Sequence, residues 1–87
     1  MSRSTEPPVV LITGANRGLG RALAQSFATA GATVLAACRD PASATFAPGQ
    51  GAIRPLPLDA GNPDSIAALA LWLAGQPVDI LVNNAGI

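Results

Sequence analysis

Short apolar runs alternate with segments of helical periodicity along most of this chain. The four apolar runs lie at residues 9–13, 33–38, 52–58 and 78–83. Runs of this length, bounded by glycine, proline or polar residues, are typical of strands that are buried on both faces of a parallel sheet. Because helices separate the first strand from the second and the third from the fourth, the pattern predicts an α/β fold with a Rossmann-type, doubly wound parallel sheet.

One helix is predicted at about residues 18–30, and a second follows Asn62 and is closed by Gly75 and Pro77. The first places its apolar side chains at helical spacing, and the face predicted to pack on the sheet contains Leu19, Ala22, Leu23, Ser26, Phe27 and Ala30. The second begins with Asn62 as N-cap and Pro63 at the first position, and its apolar face contains Ile66, Leu69, Ala70 and Leu73. Right-handed crossovers place the two helices on opposite faces of the sheet. Trp72 lies beside the apolar face, and we expect it to pack against protein outside this chain.

Two prolines determine where the third strand lies. Pro55 and Pro57 occupy alternate positions, so both missing N–H groups face one side of the strand. Such a strand is tolerated only at the edge of a sheet. This agrees with the order 3-2-1-4 expected for the first half of a doubly wound sheet. The fourth strand is then a second edge, through which we expect the 87 residues to self-associate.

A glycine-rich turn between the first strand and first helix is the main candidate for chemistry. Gly14 permits a tight turn, Gly18 lets backbone approach a ligand closely, and Gly20 lets the helix pack near the strand. Unpaired N–H groups at the helix N-terminus favour an anion such as pyrophosphate. The spacing Thr-Gly-x-x-x-Gly-x-Gly lacks the Gly-Lys-Ser/Thr of a P-loop, so a nucleotide site of the dinucleotide type is predicted.

Composition narrows the class of protein and its surroundings. The 87 residues are 49% hydrophobic and 11% charged, with zero net charge and a single cysteine. A neutral chain without a basic cluster argues against nucleic acid or an anionic membrane as partner. A lone cysteine gives no internal disulfide, and no set of metal ligands is apparent, so we predict a cytoplasmic protein without a metal site. Residues 1–8 are predicted to be a disordered tail, and residues 9–87 a partial NAD(P)-binding domain.

The glycine motif and the segment Asn83-Asn84-Ala85-Gly86 together resemble the short-chain dehydrogenase/reductase family. Within it, the sequences around the first glycines and around Cys38 are similar to carbonyl-reductase-like and C-factor-like members. The resemblance implies that the asparagines tie strands together. The cofactor-binding residues that it implies in these two motifs are Gly14, Ala15, Asn16, Arg17, Gly18, Leu19, Gly20, Asn84, Ala85 and Gly86.

Three further residues bear on the adenosine end of the cofactor. Asp59 occupies the position where the family places a polar residue against adenine, although it could instead only cap its loop. The second strand ends in Cys38 and Arg39, where an acid would favour NAD. Arg39, with Arg17 in the turn, is therefore expected to bind the 2′-phosphate of NADP, with NAD less favoured. The alternative is that both arginines are solvated surface charges, and Asp40 could pair with Arg39.

The family's chemistry depends on a serine and a Tyr-x-x-x-Lys motif, whereas this chain contains no tyrosine and its five basic residues are all arginine. No catalytic residue is therefore predicted, and we expect no turnover from these 87 residues. The leading interpretation is the N-terminal NADP-binding portion of a short-chain oxidoreductase that transfers hydride between carbonyl and alcohol. The alternatives are a free-standing, non-catalytic NADP-binding or regulatory module, or an inert fragment that pairs with another chain.

Overall fold

The structure, a computed structural model, describes residues 7–47 and 51–84. Within them lie strands β1 (Val9–Thr13), β2 (Thr33–Cys38), β3 (Ala52–Pro57) and β4 (Ile80–Val82), and helices α1 (Gly18–Thr29) and α2 (Pro63–Leu73). A short 3₁₀ turn, Pro41–Ser43, follows β2. The predicted tail lies mostly outside these ranges, and Pro7 and Pro8 have no regular structure.

The four strands form one parallel sheet in the order β3-β2-β1-β4, as predicted. Leu11 of β1 stands opposite Leu35 of β2 and Leu81 of β4. The last strand is shorter than the predicted 78–83. Asp79 accounts for its start, because it accepts a 2.7 Å hydrogen bond from the Val9 N–H at Oδ2 and donates its own N–H to the Val9 carbonyl.

The edge position of β3 explains its two prolines. The N–H groups of Ala52 and Leu58 both donate to carbonyls at the two ends of β2. Successive residues of a strand direct their N–H groups to opposite sides. The even-numbered positions 52 and 58 face β2, so Pro55 and Pro57 both face away from it. The ring nitrogens therefore remove no hydrogen bond from the sheet, and the prediction of an edge strand is confirmed.

The two helices cover opposite faces of the sheet. On one face α1 packs over Val10, Ile12 and Val34, the largest fully buried side chains. On the other face α2 contributes Leu69, Trp72 and Leu73. Each fully buried aliphatic side chain stabilises the fold by roughly 1.5–3 kcal/mol. Trp72 thus contacts this chain's own core, contrary to the prediction, and its ring lies 5.0 Å from the Arg54 guanidinium.

The predicted buried face of α1 was wrong by about one residue of rotation. Leu19 is 67% exposed, and Ala22, Ser26 and Ala30 are also exposed. The buried positions are Gly20, Ala24 and Ala28, flanked by Leu23 and Phe27. The helix lies so close to the sheet that Gly20, Ala24 and Ala28 occupy the contact, and of the predicted face only Leu23 and Phe27 pack against the core. Ile66 of α2 is likewise 48% exposed, so the second predicted face holds only at Leu69 and Leu73.

Candidate nucleotide-binding site

The turn between β1 and α1 has the backbone that its glycines predict. Gly14 and Gly18 adopt φ values of 65° and 59°, in the left-handed region that favours glycine. The space that a Cβ would occupy at Gly18 is open, with no atom within 4 Å. No side chain caps α1 at Arg17, and no acidic residue lies in its first turn. The N–H groups at this helix end therefore face an open, uncapped surface that suits an anion.

Gly20 has a different role from Gly18. A Cβ at Gly20 would overlap the Gly14 carbonyl oxygen and would stand 2.6 Å from Asn84 Nδ2. Glycine is therefore required for the first turn of α1 to lie against both the glycine turn and the end of β4. The expectation that this residue permits close packing is confirmed.

The asparagines after β4 are joined to β1. Thr13 Oγ1 donates to Asn83 Oδ1 at 3.2 Å and accepts from the Asn84 N–H at 2.9 Å. Asn84 Nδ2 in turn donates to the Gly14 carbonyl at 3.2 Å. These bonds hold the ends of β1 and β4 together beside the turn, the strand-tying role that the resemblance implied. Ala85 and Gly86 lie outside the described residues.

A cleft of about 740 Å³ runs along the carboxyl ends of the four strands. This volume is within the usual range for a small-molecule site. Eight of the residues predicted to bind cofactor line it: Gly14, Asn16, Arg17, Gly18, Cys38, Arg39, Asp59 and Asn84. Ala15 is buried and its N–H donates to the Ala37 carbonyl, while Gly20 is buried under the turn and Leu19 faces outward. None of these three residues lines the cleft.

Four lining residues were not predicted from sequence: Asp40, Leu58, Ala60 and Gly61. Leu58 and Ala60 flank the predicted Asp59 in the sequence, and this adjacency was the only feature of the sequence that could have placed them at the cleft. Asp40 was expected as a possible partner of Arg39. It precedes the 3₁₀ turn, but its backbone carbonyl accepts from Ser43 and its side chain makes no capping bond.

Asp59 organises the loop after β3. Its Oδ1 accepts from the Gly61 N–H at 3.0 Å, and its carbonyl accepts from the Asn62 N–H. Ser65 Oγ accepts from the Asp59 N–H at 2.8 Å and joins this loop to α2. Asn62 caps α2 as predicted, by accepting from the Asp64 N–H. The loop-capping role of Asp59 is therefore visible, and the same exposed carboxylate lines the cleft.

The cleft wall carries two cations and two anions. Arg17, Arg39, Asp40 and Asp59 are all exposed and all line it. Arg17 lies in the glycine turn, whereas Arg39 and Asp40 leave β2 at its carboxyl end. The sign of the local potential thus depends on position along the cleft, and Asp40 sits next to the cation proposed to select the cofactor.

Cys38 lies at the cleft but is only 3% exposed. Burial raises the pKa of its thiol above the ordinary value of 9.0, and the Asp40 carboxylate raises it further, while a hydrogen bond with the Asp40 backbone lowers it. At neutral pH the group is therefore a neutral thiol, and no thiolate is available as a nucleophile.

This raised pKa predicts slow alkylation of Cys38. Iodoacetamide reacts with the thiolate, so the rate should rise through a midpoint above pH 9.0. A pKa that is higher in the folded state than in the unfolded state also makes stability depend on pH. The contribution of Cys38 to the free energy of unfolding should be complete below the unfolded-state pKa and should be lost as pH rises through the folded-state pKa. Alkylation rates from pH 7 to 10.5, measured by mass spectrometry with denatured protein as reference, test this. A midpoint at or below that of the denatured protein would contradict it.

The comparisons with known proteins identify the family. Residues 8–87 match the family described as short chain dehydrogenase. The chain belongs to this family. Its relatives include Protein FixR of Bradyrhizobium diazoefficiens, which is 38% identical over 87 residues, covering 94% of this chain and 31% of that protein. The 3-oxoacyl-[acyl-carrier-protein] reductase FabG of Escherichia coli is also 38% identical, with 94% and 35% covered.

Solved structures of the family share the fold. The Pseudomonas aeruginosa RhlG/NADP active-site complex matches with a TM-score of 0.76 and 31% identity, covering 94% of this chain and 36% of that one. A metagenomic short-chain oxidoreductase in complex with NADP matches with a TM-score of 0.76 and 33% identity, covering 94% of this chain and 40% of that one. The chain therefore spans about a third of the length of the short-chain dehydrogenases that it matches. The narrower likeness to carbonyl-reductase-like members stays a prediction.

In residues 7–47 and 51–84, no helix is long and apolar enough to cross a membrane. The same part of the chain contains no group of three His, Cys, Asp or Glu side chains placed to hold a metal ion.

Proposed function

We propose that this chain is the NADP-binding N-terminal portion of a short-chain oxidoreductase. One observation carries the proposal: a single cleft joins the open glycine turn at the start of α1 to Arg39 at the end of β2. The turn suits a pyrophosphate, and an arginine suits a further phosphate group. The two NADP complexes among the similar structures support the same cofactor.

The cofactor's groups can be assigned along the cleft. The pyrophosphate would lie over Gly14, Asn16 and Gly18, where the backbone is open. The adenosine 2′-phosphate would lie near Arg39 and Arg17. These assignments follow from the order of the strands, because the end of β2 lies beside the end of β1 in the sheet.

The remaining two assignments lie at the outer strands. Adenine would lie beside Asp59, after β3, and a cofactor ribose would lie beside Asn84 and the following Ala85 and Gly86. Ala15 and Gly20 would support the turn from beneath, and Leu19 would flank its exposed side. Whichever of NADP and NAD binds, this part of the site is shared, so it supplies affinity rather than selectivity.

When bound, the nicotinamide cofactor supplies or accepts a hydride. The residues described above would bind and orient the nucleotide, but the tyrosine and lysine on which the family's chemistry depends are not among them, since this chain contains neither. We infer that the catalytic residues lie outside these 87 residues. The exposed Ile80 and Leu81 of β4 and Leu71 of α2 are compatible with cover from further protein or from a second copy.

Calorimetric titration tests this function. On the full protein that carries this sequence, NADP should bind with micromolar or tighter affinity and at least tenfold more tightly than NAD, if Arg39 and Arg17 hold the extra phosphate. Adding 2′-AMP should compete with NADP, whereas 5′-AMP should compete more weakly. Absence of binding by either dinucleotide would overturn the proposed function, and equal affinities would overturn the NADP preference alone.

A further inference from the structure

The chain between β2 and β3 is held against α1 by two polar side chains. After the 3₁₀ turn, residues 44–47 run without regular structure along the outside of α1. We call these four residues the strap. Arg21 donates from Nε at 3.1 Å and from Nη2 at 2.9 Å to the Thr45 carbonyl. Its guanidinium also lies 5.8 Å from the centre of the Phe46 ring.

Gln25, one turn further along α1, binds the next part of the strap. Its Nε2 donates to the Ala47 carbonyl at 2.8 Å, and its Oε1 accepts from the Ala47 N–H at 2.8 Å. The amide side chain thus matches both backbone groups of one residue. This pairing satisfies a donor and an acceptor that an irregular segment would otherwise leave to water.

Apolar packing holds the strap mainly at Phe46, which packs against the core beneath α1. Thr45 and Ala47 are exposed, and Ala44 and Phe46 are only half-buried. Ordering an irregular residue costs about 1–2 kcal/mol of backbone entropy. Because only Phe46 contributes substantial burial, the hydrogen bonds from Arg21 and Gln25 are needed in addition to keep the strap in place.

The position of the strap matters for the cleft, because the same connection carries Arg39 and Asp40. The 3₁₀ turn links them to the strap through bonds from Ser43 to the Asp40 carbonyl and from the Ala44 N–H to the Pro41 carbonyl. Arg39 and Asp40 are held by β2 on one side, and on the other side they are joined through the 3₁₀ turn to the strap. Without it, the residues beside Arg39 would sample more conformations.

We propose that Arg21 and Gln25 are positioning residues for NADP, which preorganise the connection that presents Arg39 to the 2′-phosphate. This inference rests on the proposed function. Arg17, Arg21 and Gln25 follow one another at four-residue spacing, so they lie along one side of α1. The helix that forms the phosphate cradle at its N-terminus therefore also sets the distance to the adenosine end of the cleft.

Gln25→Ala is the decisive variant, because it removes both hydrogen bonds between Gln25 and Ala47, which we call the clamp, without changing charge. We expect about a fivefold weaker affinity for NADP and less than a twofold change for NAD, as NAD makes no use of Arg39. Thermolysin should also cut faster before Phe46. Gln76→Ala, which truncates an exposed glutamine beyond α2, is the matched control and should leave both measurements unchanged.

Arg21 separates positioning from charge. Arg21→Gln keeps a donor at the position of Arg21 Nε but removes the charge, and it should retain most of the NADP affinity that Arg21→Ala loses. If Arg21→Ala weakens NADP while Gln25→Ala leaves both its affinity and its proteolysis unchanged, Arg21 acts only by charge and the inference is overturned. Equal loss of both cofactors in Gln25→Ala would also overturn it. If the parent protein binds neither dinucleotide, the proposed function fails, and thermolysin still tests the clamp itself.

Discussion

Gly20→Ala is expected to lower the free energy of unfolding by about 1–3 kcal/mol and to weaken dinucleotide affinity at least tenfold. The added methyl group would meet the Gly14 carbonyl and would stand 2.6 Å from Asn84 Nδ2. The Gly14 carbonyl is backbone and cannot yield without disturbing the turn, and the Asn84 side chain can move only by giving up its hydrogen bond to that carbonyl. The helix must then move away from the sheet, and its N–H groups move with it.

Gly61→Ala is the matched control for that variant. Gly61 also lines the cleft, but a Cβ there would find only Asp59 Oδ1, at an ordinary contact distance of 3.5 Å. Thermal unfolding and calorimetric titration of the two variants beside the parent protein measure the effect. Parent-like stability and affinity in Gly20→Ala would show that the turn does not need this close approach.

Arg39→Ala is expected to weaken NADP by about tenfold to a hundredfold and NAD by less than twofold. A charge-assisted hydrogen bond contributes roughly 1.5–3 kcal/mol, and the 2′-phosphate carries nearly two negative charges near neutral pH. The glycine turn and Asp59 would treat both cofactors alike. Titrating both dinucleotides with parent and variant measures the difference, and equal weakening of the two would return Arg39 to the status of a surface charge.

Two neighbouring substitutions test the same electrostatics with opposite signs. Asp40→Asn removes a negative charge whose side chain makes no capping bond, so it should strengthen NADP binding without loss of stability. Cys38→Asp should shift preference toward NAD, because a carboxylate at the end of β2 repels the 2′-phosphate and can accept bonds from ribose hydroxyls. Cys38 is 3% exposed, so Cys38→Ser is needed to separate charge from the cost of a buried polar group.

Local patterns were sufficient to predict the elements and the turn. Strands β1 and β2 were predicted with their observed bounds, because the residues that flank each apolar run leave little choice of where the strand begins and ends. Pro55 and Pro57 predicted the edge of the sheet, because a missing N–H is a local property that excludes a central strand. Asn62 was correctly predicted as the N-cap of α2, because capping likewise depends only on neighbouring residues.

What the sequence by itself determined was therefore the element order, the edge strand and the glycine turn, all of which depend on properties of neighbouring residues. The tertiary structure alone decided which side of α1 is buried, because a close helix–sheet contact selected Gly20, Ala24 and Ala28 over the larger Leu19. It also decided that Gln25 binds Ala47, 22 residues away. Periodicity cannot predict such a contact, since it depends on where an irregular segment returns to the surface of a helix.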